Sequence, residues 1–283
     1  MKKINFVSAA FRNKEDTLNL IDSYTAVKNK LKNFELSFFL VNDYPKENIL
    51  SHKVDSIEEI KTPGDIWWTK SIQLGIDKSL ETESDYTILT GTDLTFDSES
   101  LESLISILEK NRDIDVLHPK VIDIESGEEL ISGISLPNPF LYIPRHISSD
   151  INLRECDMLS ARFVAIRTKI LRSYRFDERL IQYASDYDFF LKLKRDGKIL
   201  ALTNKSIIFA RMERTGISRY NIDSFREYFK SYRRINSRNY FPSIIYFYTK
   251  NFGNIYGWLN FFLKFLKDIM FIARNKVWKK TMK

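Results

Sequence analysis

The run ELSFFLVN, residues 35–42, is apolar almost from end to end. A strand with one wet face alternates apolar and polar side chains. An unbroken run belongs instead to a strand covered on both sides, as in a parallel sheet between two layers of helices. Its surroundings agree. INFVSA reads as a preceding strand, and residues 15–31 place Leu18, Ile21, Tyr24, Val27 and Leu31 at helical spacing. A short strand at IEEIKT, a helix from about residue 69 to 80 and the strand DYTILTG follow, then a helix over residues 98–110 and the strand DIDVLHP. This alternation predicts an α/β fold with a mostly parallel sheet and right-handed crossovers.

Ligands of such sheets bind beyond the carboxyl ends of the strands. Asp43 follows the second strand, Gly64-Asp65 the third and Gly91-Thr92-Asp93 the fourth. Small and acidic residues at three successive strand ends suit a nucleotide with its cation; they are also ordinary turn residues. The stretch from 121 to 154 holds Gly127, Gly133, Pro137, Pro139 and Pro144 and reads as a loop-and-hairpin region where acceptor specificity could reside. Beyond it the pattern resumes with the apolar run MLSARFVAIRT, a short helix and FDERLIQYASDYDFFLKLKRDGKILAL.

Composition narrows the class. A mean hydropathy of −0.29 with 43% hydrophobic residues excludes wholesale disorder. One cysteine excludes an intrachain disulfide and a clustered-cysteine zinc site, and it suits a reducing compartment. The opening MKKINFVSAAF has only a short apolar run, so no signal peptide is expected. The net charge of +7 is unevenly divided: residues 225–283 carry thirteen Lys and Arg against Glu227 and Asp268, a net +11, and the remainder carries −4. An acidic body argues against nucleic acid as partner, and a basic tail points its charge at one surface, an anionic lipid surface above all.

GDIWWTKSIQLGI followed by DYTILTGTDLTFD, and downstream FDERLIQYASDYDFFLKLKRDG, resemble segments of the family-2 glycosyltransferases of the GT-A fold, especially bacterial rhamnosyltransferase-like members. The resemblance runs over roughly residues 3–218 and rests on the order and spacing of the pieces. It implies a GT-A domain over 1–218, a basic, aromatic-rich helical tail over 219–283, and an inverting hexosyltransferase. Such an enzyme moves a sugar from a UDP- or dTDP-linked donor to a glycan or lipid-linked acceptor in bacterial surface polysaccharide synthesis. It implies Asp43 and Asp65 at the base or ribose, Thr92 and Asp93 at the donor, Asp93 on a Mg²⁺ or Mn²⁺ ion, and Asp186 as the catalytic base.

The chemistry accounts for these types. Displacing a diphosphate from an anomeric carbon builds charge that a hard cation on oxygen ligands neutralises. The attacking hydroxyl must lose its proton to a carboxylate across the cleft. Ser185 reads as the N-cap of the helix that carries Asp186, with Asp188 complementing the helix dipole, and the dipole alone is the competing reading for Asp186. The chain departs from the family pattern twice. Gly91-Thr92-Asp93 lacks one carboxylate, and Phe209-Ala210-Arg211 stands where relatives carry a metal-binding histidine. Arg211 or Arg214 against the diphosphate could compensate, or both are surface charges. Trp67 is placed on the acceptor side, where it stacks on a sugar or base, the alternative being that it packs at a helix start, and Trp68 is assigned to the core. Arg162 lies on the acceptor side or in a cross-strand salt bridge.

Two other readings stay in view. A sugar-nucleotidyltransferase would carry a glycine-rich phosphate loop after the first strand, and SAAFRNKED has no glycine. A catalytically inactive sugar-nucleotide-binding or scaffold protein would fit the thinned motif. In the tail, Ile255, Trp258, Leu259, Phe262, Leu266, Ile269, Met270, Ala273 and Val277 share one helical face, with Asn260, Lys264, Lys267, Asp268, Asn275 and Lys276 mainly opposite. Lys250, Lys264, Lys267 and Arg274 interrupt any spanning stretch. A peripheral protein on the cytoplasmic face of the cell membrane is expected, the alternative being that this face packs on the body or in a homo-oligomer.

Overall fold

The computed structural model describes residues 1–50, 54–130, 132–148, 151–211, 222 and 224–281, with side chains in the last helix as far as residue 274. The first half alternates as expected: β1 (Lys2–Ala10), α1 (Lys14–Lys30), β2 (Phe34–Asn42), β3 (Ile57–Lys61), α2 (Trp67–Ser79), β4 (Tyr86–Thr90), β5 (Leu94–Thr95), α3 (Ser98–Lys110) and β6 (Ile114–Asp123). Then come β7 (Gly133–Ser135), β8 (Arg145–Ile147), β9 (Arg154–Glu155), β10 (Met158–Leu159), β11 (Phe163–Arg167), α4 (Thr168–Ser173), α5 (Ser185–Arg195) and β12 (Ile199–Ala210). The chain closes with α6 (Phe225–Ser231), α7 (Phe241–Phe252) and α8 (Asn254–Thr281).

The main sheet has the order β3-β2-β1-β4-β11-β6-β12-β5, with β9 pairing to β12. Parallel pairs join β2 to β3, β1 to β2, β1 to β4 and β6 to β12, while β11 runs antiparallel between β4 and β6. Every residue of β4 is buried, as a strand covered on both faces requires. In β1, Ile4 and Phe6 enter one core and Val7 the other, so alternate side chains serve opposite faces. Leu20, Ile21 and Tyr24 of α1 and Leu101, Leu104 and Leu108 of α3 fill the first core. Ile72 and Ile76 of α2 and Phe189, Phe190 and Leu193 of α5 fill the second. The turn-rich middle stretch forms a three-stranded sheet, β10-β7-β8, as a hairpin region should.

Two helix starts differ from the sequence reading. α2 begins at Trp67, two residues early. Ser185 is not an N-cap: Ala184 takes that position in left-handed geometry (φ 68°), and the Ser185 hydroxyl instead shares a hydrogen bond with Thr69 Oγ1 at 2.9 Å. A tertiary partner has outcompeted the local cap.

The tail is helical, and the boundary expected near Ser218 lies outside the described residues. Ile244, Phe247, Tyr248 and Phe252 of α7 share one hydrophobic cluster with Ile134, Met158, Leu180 and Leu191 of the body. Gly253 (φ 76°) turns the chain into α8, and Gly257 lets the two helices touch: a Cβ there would stand 2.6 Å from the Thr249 Cα.

α8 is amphipathic as the spacing predicts, but its polar residues face the protein together with Phe261, Phe265 and Ile272. Asn260 Oδ1 accepts from the Tyr142 N–H (2.8 Å) and its Nδ2 donates to the Phe140 carbonyl (3.0 Å). Lys264 Nζ donates to Asn239 Oδ1 and Asp268 Oδ2, both at 2.5 Å, and Tyr228 donates to Asp268 (3.3 Å). Asn260 and Asp268 are each 3% exposed, whereas Ile255 is 82%, Trp258 54%, Phe262 54% and Met270 66% exposed. Most of the expected stripe is therefore exposed, while Ile269 packs with Phe265 and Ile272 against Tyr228 of α6. Among the described residues no helix is long and apolar enough to cross a membrane.

Candidate active site

Asp43, at the end of β2, is buried, and both its oxygens are engaged. Oδ1 accepts from Thr62 Oγ1 (2.6 Å) and the Ile66 N–H (3.1 Å), and Oδ2 accepts from the Trp67 N–H (2.9 Å). This clamp holds a turn in which Gly64 (φ 97°), Asp65 (56°) and Trp67 (68°) are left-handed. Such geometry costs a non-glycine residue about 1–3 kcal/mol and persists only where the surroundings enforce it. Asp65 is exposed on the rim, and Trp67 is half-buried beside it. Trp68 turns inward, packing edge-on against Phe176 at 5.6 Å. Its assignment to the core holds.

The same turn is sewn to the approach of α5. The Trp68 N–H donates to Gln182 Oε1 (3.1 Å), the Thr69 N–H to the Ile181 carbonyl (3.2 Å), and the Thr69 hydroxyl to the Leu180 carbonyl. These bonds fix the first turn of α5, where Asp186 and Asp188 part ways. Asp188 is buried and pairs with Lys250 Nζ (2.6 Å) and Asn251 Nδ2 (2.8 Å) of α7, and Lys250 also reaches Asp177 (2.8 Å). It is a structural rivet, a role that helix-dipole reasoning did not reach because Lys250 lies 62 positions away. Asp186 has backbone partners, the N–H groups of Tyr187 (2.9 Å) and Ala161 (3.4 Å). Burial raises its carboxyl above the usual range, against the pull of those N–H groups and of Arg238. Arg238, which also stands 6.0 Å over the Tyr183 ring, comes from the tail, and nothing in its sequence context marked it.

One short segment links Asp186 to the strand-end motif. Ala161 donates to Asp186, and the carbonyl of the next residue, Arg162, accepts from the Gly91 N–H at 2.6 Å. Thr92 is buried and takes a hydrogen bond from Asn13 Nδ2, in the turn before α1. Burial likewise lifts the Asp93 carboxyl, with Asp16 adding to the shift and the Arg162 guanidinium opposing it. The Arg162 side chain thus acts on Asp93, while its carbonyl holds Gly91. Asp93, Thr92, Asp16 and Arg211 line a cleft of about 250 Å³ at the carboxyl ends of β4 and β12. The Arg211 N–H donates to the Asp93 carbonyl (3.0 Å), and its side chain stands 3.8 Å from Asp16. Asp16 was missed because an acid in the first turn of a helix is unremarkable in sequence. Arg214 lies outside the described residues. A comparable hollow of about 280 Å³ lies at the opposite, amino ends of the strands, lined by Lys2, Asp85, Glu109 and Arg167, which pair among themselves and with their neighbours.

Among the described residues no three His, Cys, Asp or Glu side chains stand together as a metal cage. Mg²⁺ commonly takes one or two carboxylates and completes its shell with phosphate oxygens and water. Asp93 fits that mode of binding, with a cation held largely by the substrate.

No family model matches the sequence, and no curated protein does. Solved structures do. Residues 1–349 of S. aureus TarS align over 75% of this chain and 60% of that one, with 16% identity and a TM-score of 0.53. The same protein in complex with UDP aligns over 75% and 61% with 15% identity and a TM-score of 0.55. GalNAc-T7 with UDP, GalNAc and Mn²⁺ aligns over 75% and 44% with 13% identity and a TM-score of 0.58. The fold is of the GT-A type. The chain spans about three-fifths or less of the length of these neighbours. In GT-A terms the cleft occupies the carboxyl-end rim of the sheet, where the sequence placed its candidates.

Proposed function

We propose that the protein transfers a sugar from a nucleoside diphosphate to an acceptor hydroxyl. The observation that carries this is the link Asp186–Ala161–Arg162–Gly91, which joins a carboxyl raised by burial to the strand-end motif bearing Asp93. A base with a raised pKa is better matched to taking a proton near neutral pH than an ordinary aspartate. The acceptor oxygen bonds to the anomeric carbon from the Asp186 side while the bond to the diphosphate oxygen breaks on the other. The hydroxyl proton passes to Asp186, the nucleoside diphosphate leaves, and the anomeric configuration inverts. Arg162 and Arg211 supply positive charge beside the leaving group, Asp65 lines the donor end of the rim, and Trp67 lines its acceptor side. A Mg²⁺ or Mn²⁺ ion at Asp93, when bound, neutralises the diphosphate.

UDP is the favoured nucleotide, since TarS structures hold UDP and UDP-GlcNAc. The family-2, rhamnosyltransferase-like assignment rests on the sequence motifs, as does an acceptor belonging to a bacterial surface glycan. One observation favours a second reading, a nucleotide-sugar binder without turnover: the motif offers Asp93 as its only carboxylate. Calorimetric titration with UDP-sugars, with and without Mn²⁺, followed by assay for UDP release, separates the two. Binding with release supports transfer, binding without release supports the inactive reading, and no binding overturns both.

A further inference from the structure

We propose that the exposed face of α8 beds into the surface of an anionic lipid bilayer, the helix axis lying in the membrane plane. A helix docked on a globular protein normally turns its apolar stripe inward. α8 does this with Phe261, Phe265, Ile269 and Ile272, which dock beside Asn260, Lys264 and Asp268, but it carries a second apolar side, Ile255, Trp258, Leu259, Phe262, Leu266 and Met270, that it presents to the outside. The stripe continues onto neighbouring elements: Tyr256 stacks near the exposed Phe140 ring at 4.9 Å, and Trp258 lies 6.3 Å from the exposed Phe241. Water alone is a poor partner for so large an apolar patch.

Charge selects lipid as the occupant. Lys267 and Arg274 are exposed beside the stripe, and the segment from 225 onward carries +11 against an acidic body. A basic helix with an aromatic face is attracted to anionic headgroups at about 1 kcal/mol per Lys or Arg, and it gains again by burying its apolar side chains. A second copy of the chain would bring two such basic segments together. The cytoplasmic leaflet of the cell membrane has the required charge. The inference is independent of the transfer reaction, because the stripe lies outside the cleft and its test involves no substrate.

The experiment is flotation of the full chain with phosphatidylcholine vesicles and with phosphatidylcholine–phosphatidylglycerol vesicles, at low and high salt. The double variant Phe262→Glu/Leu266→Glu is run alongside. Both positions are exposed, so the variant should fold, and its melting curve checks that. The expected result is co-flotation with the anionic vesicles, weakened by salt and reduced at least about tenfold in the variant. Wild-type protein that stays soluble at low salt overturns the proposal, as does equal flotation of the two proteins. Sedimentation equilibrium reads the remaining outcome: a dimer abolished by the double substitution, without vesicle binding, makes a second copy the occupant and overturns the lipid assignment.

Discussion

In the body, α3 turns Leu101, Leu104, Ile105 and Leu108 onto the sheet and leaves Glu99, Glu102 and Lys110 in water. In the tail, α8 turns Asn260, Lys264 and Asp268 toward the protein and leaves Trp258, Phe262 and Leu266 outside. Both helices have a clear 3.6-residue stripe. α8 also docks Phe261, Phe265 and Ile272, so the difference teaches that periodicity finds a helix's apolar stripes but not which of two docks. That choice depends on what the neighbouring surface offers, and α8 meets the free N–H of Tyr142, the carbonyl of Phe140 and the hydroxyl of Tyr228.

The largest effect expected in the body is catalytic. Asp186→Asn should lower turnover by roughly 10²–10⁴-fold, because an amide cannot take the acceptor's proton, while the melting temperature stays near that of the wild type. Near-normal turnover at saturating substrate would remove Asp186 from that role. Asp188→Ala, two residues on, should do the opposite kind of damage. It leaves Lys250 with half its partners, and loss of one member of a buried pair costs about 3–5 kcal/mol, read as a lower urea midpoint at similar slope. If Asp188→Ala proves no more destabilising than Asp186→Asn, the two carboxylates are not the different devices described above.

Acid should loosen the body next. His118 is fully buried, and burial depresses its pKa to about 4 despite the Pro119 carbonyl at its ring nitrogen. Between pH 6.5 and 4 the unfolded chain holds the extra proton, so stability falls as pH falls through that window. His118→Gln should flatten this part of a denaturation-versus-pH curve; an unchanged slope would mean that other groups set it. The smallest effects are in α8 and bear on its docked and exposed sides. Asn260→Leu should destabilise by about 1–3 kcal/mol, since it strands the Tyr142 N–H and the Phe140 carbonyl, although it makes the helix more apolar. Phe262→Ser should change the urea midpoint by less than about 0.5 kcal/mol in the absence of lipid. Equal costs at the two positions would abolish the contrast with α3.

Much of the body was legible because local and tertiary signals agree there. α3 begins where Asp97 caps it, its side chain accepting from the Ser100 N–H at 2.8 Å, and its leucines keep strict spacing. The strand ends were legible because turn residues and the rule for ligand position in parallel sheets coincide at Asp43, Gly64 and Gly91. What escaped depends on partners distant in sequence. Ser185 looked like a cap, but Thr69, 116 positions away, claims its hydroxyl. Asp16 and Arg238 joined the site only through folding, one from the first helix and one from the tail, and neither residue type is unusual where it stands.

Lys250 gives the packing of α5 on α7 a mechanical property. Its ammonium spans Asp177, ahead of α5, and Asp188, within it, while Arg195 at the far end of α5 donates to Asn251 at 2.8 Å. The last turn of α7 is therefore bolted to both ends of α5, and lifting one helix would expose unpaired charge on the other. The amide hydrogens of the two helices should exchange together, as one cooperative unit, more slowly than those of the turn at residues 64–67.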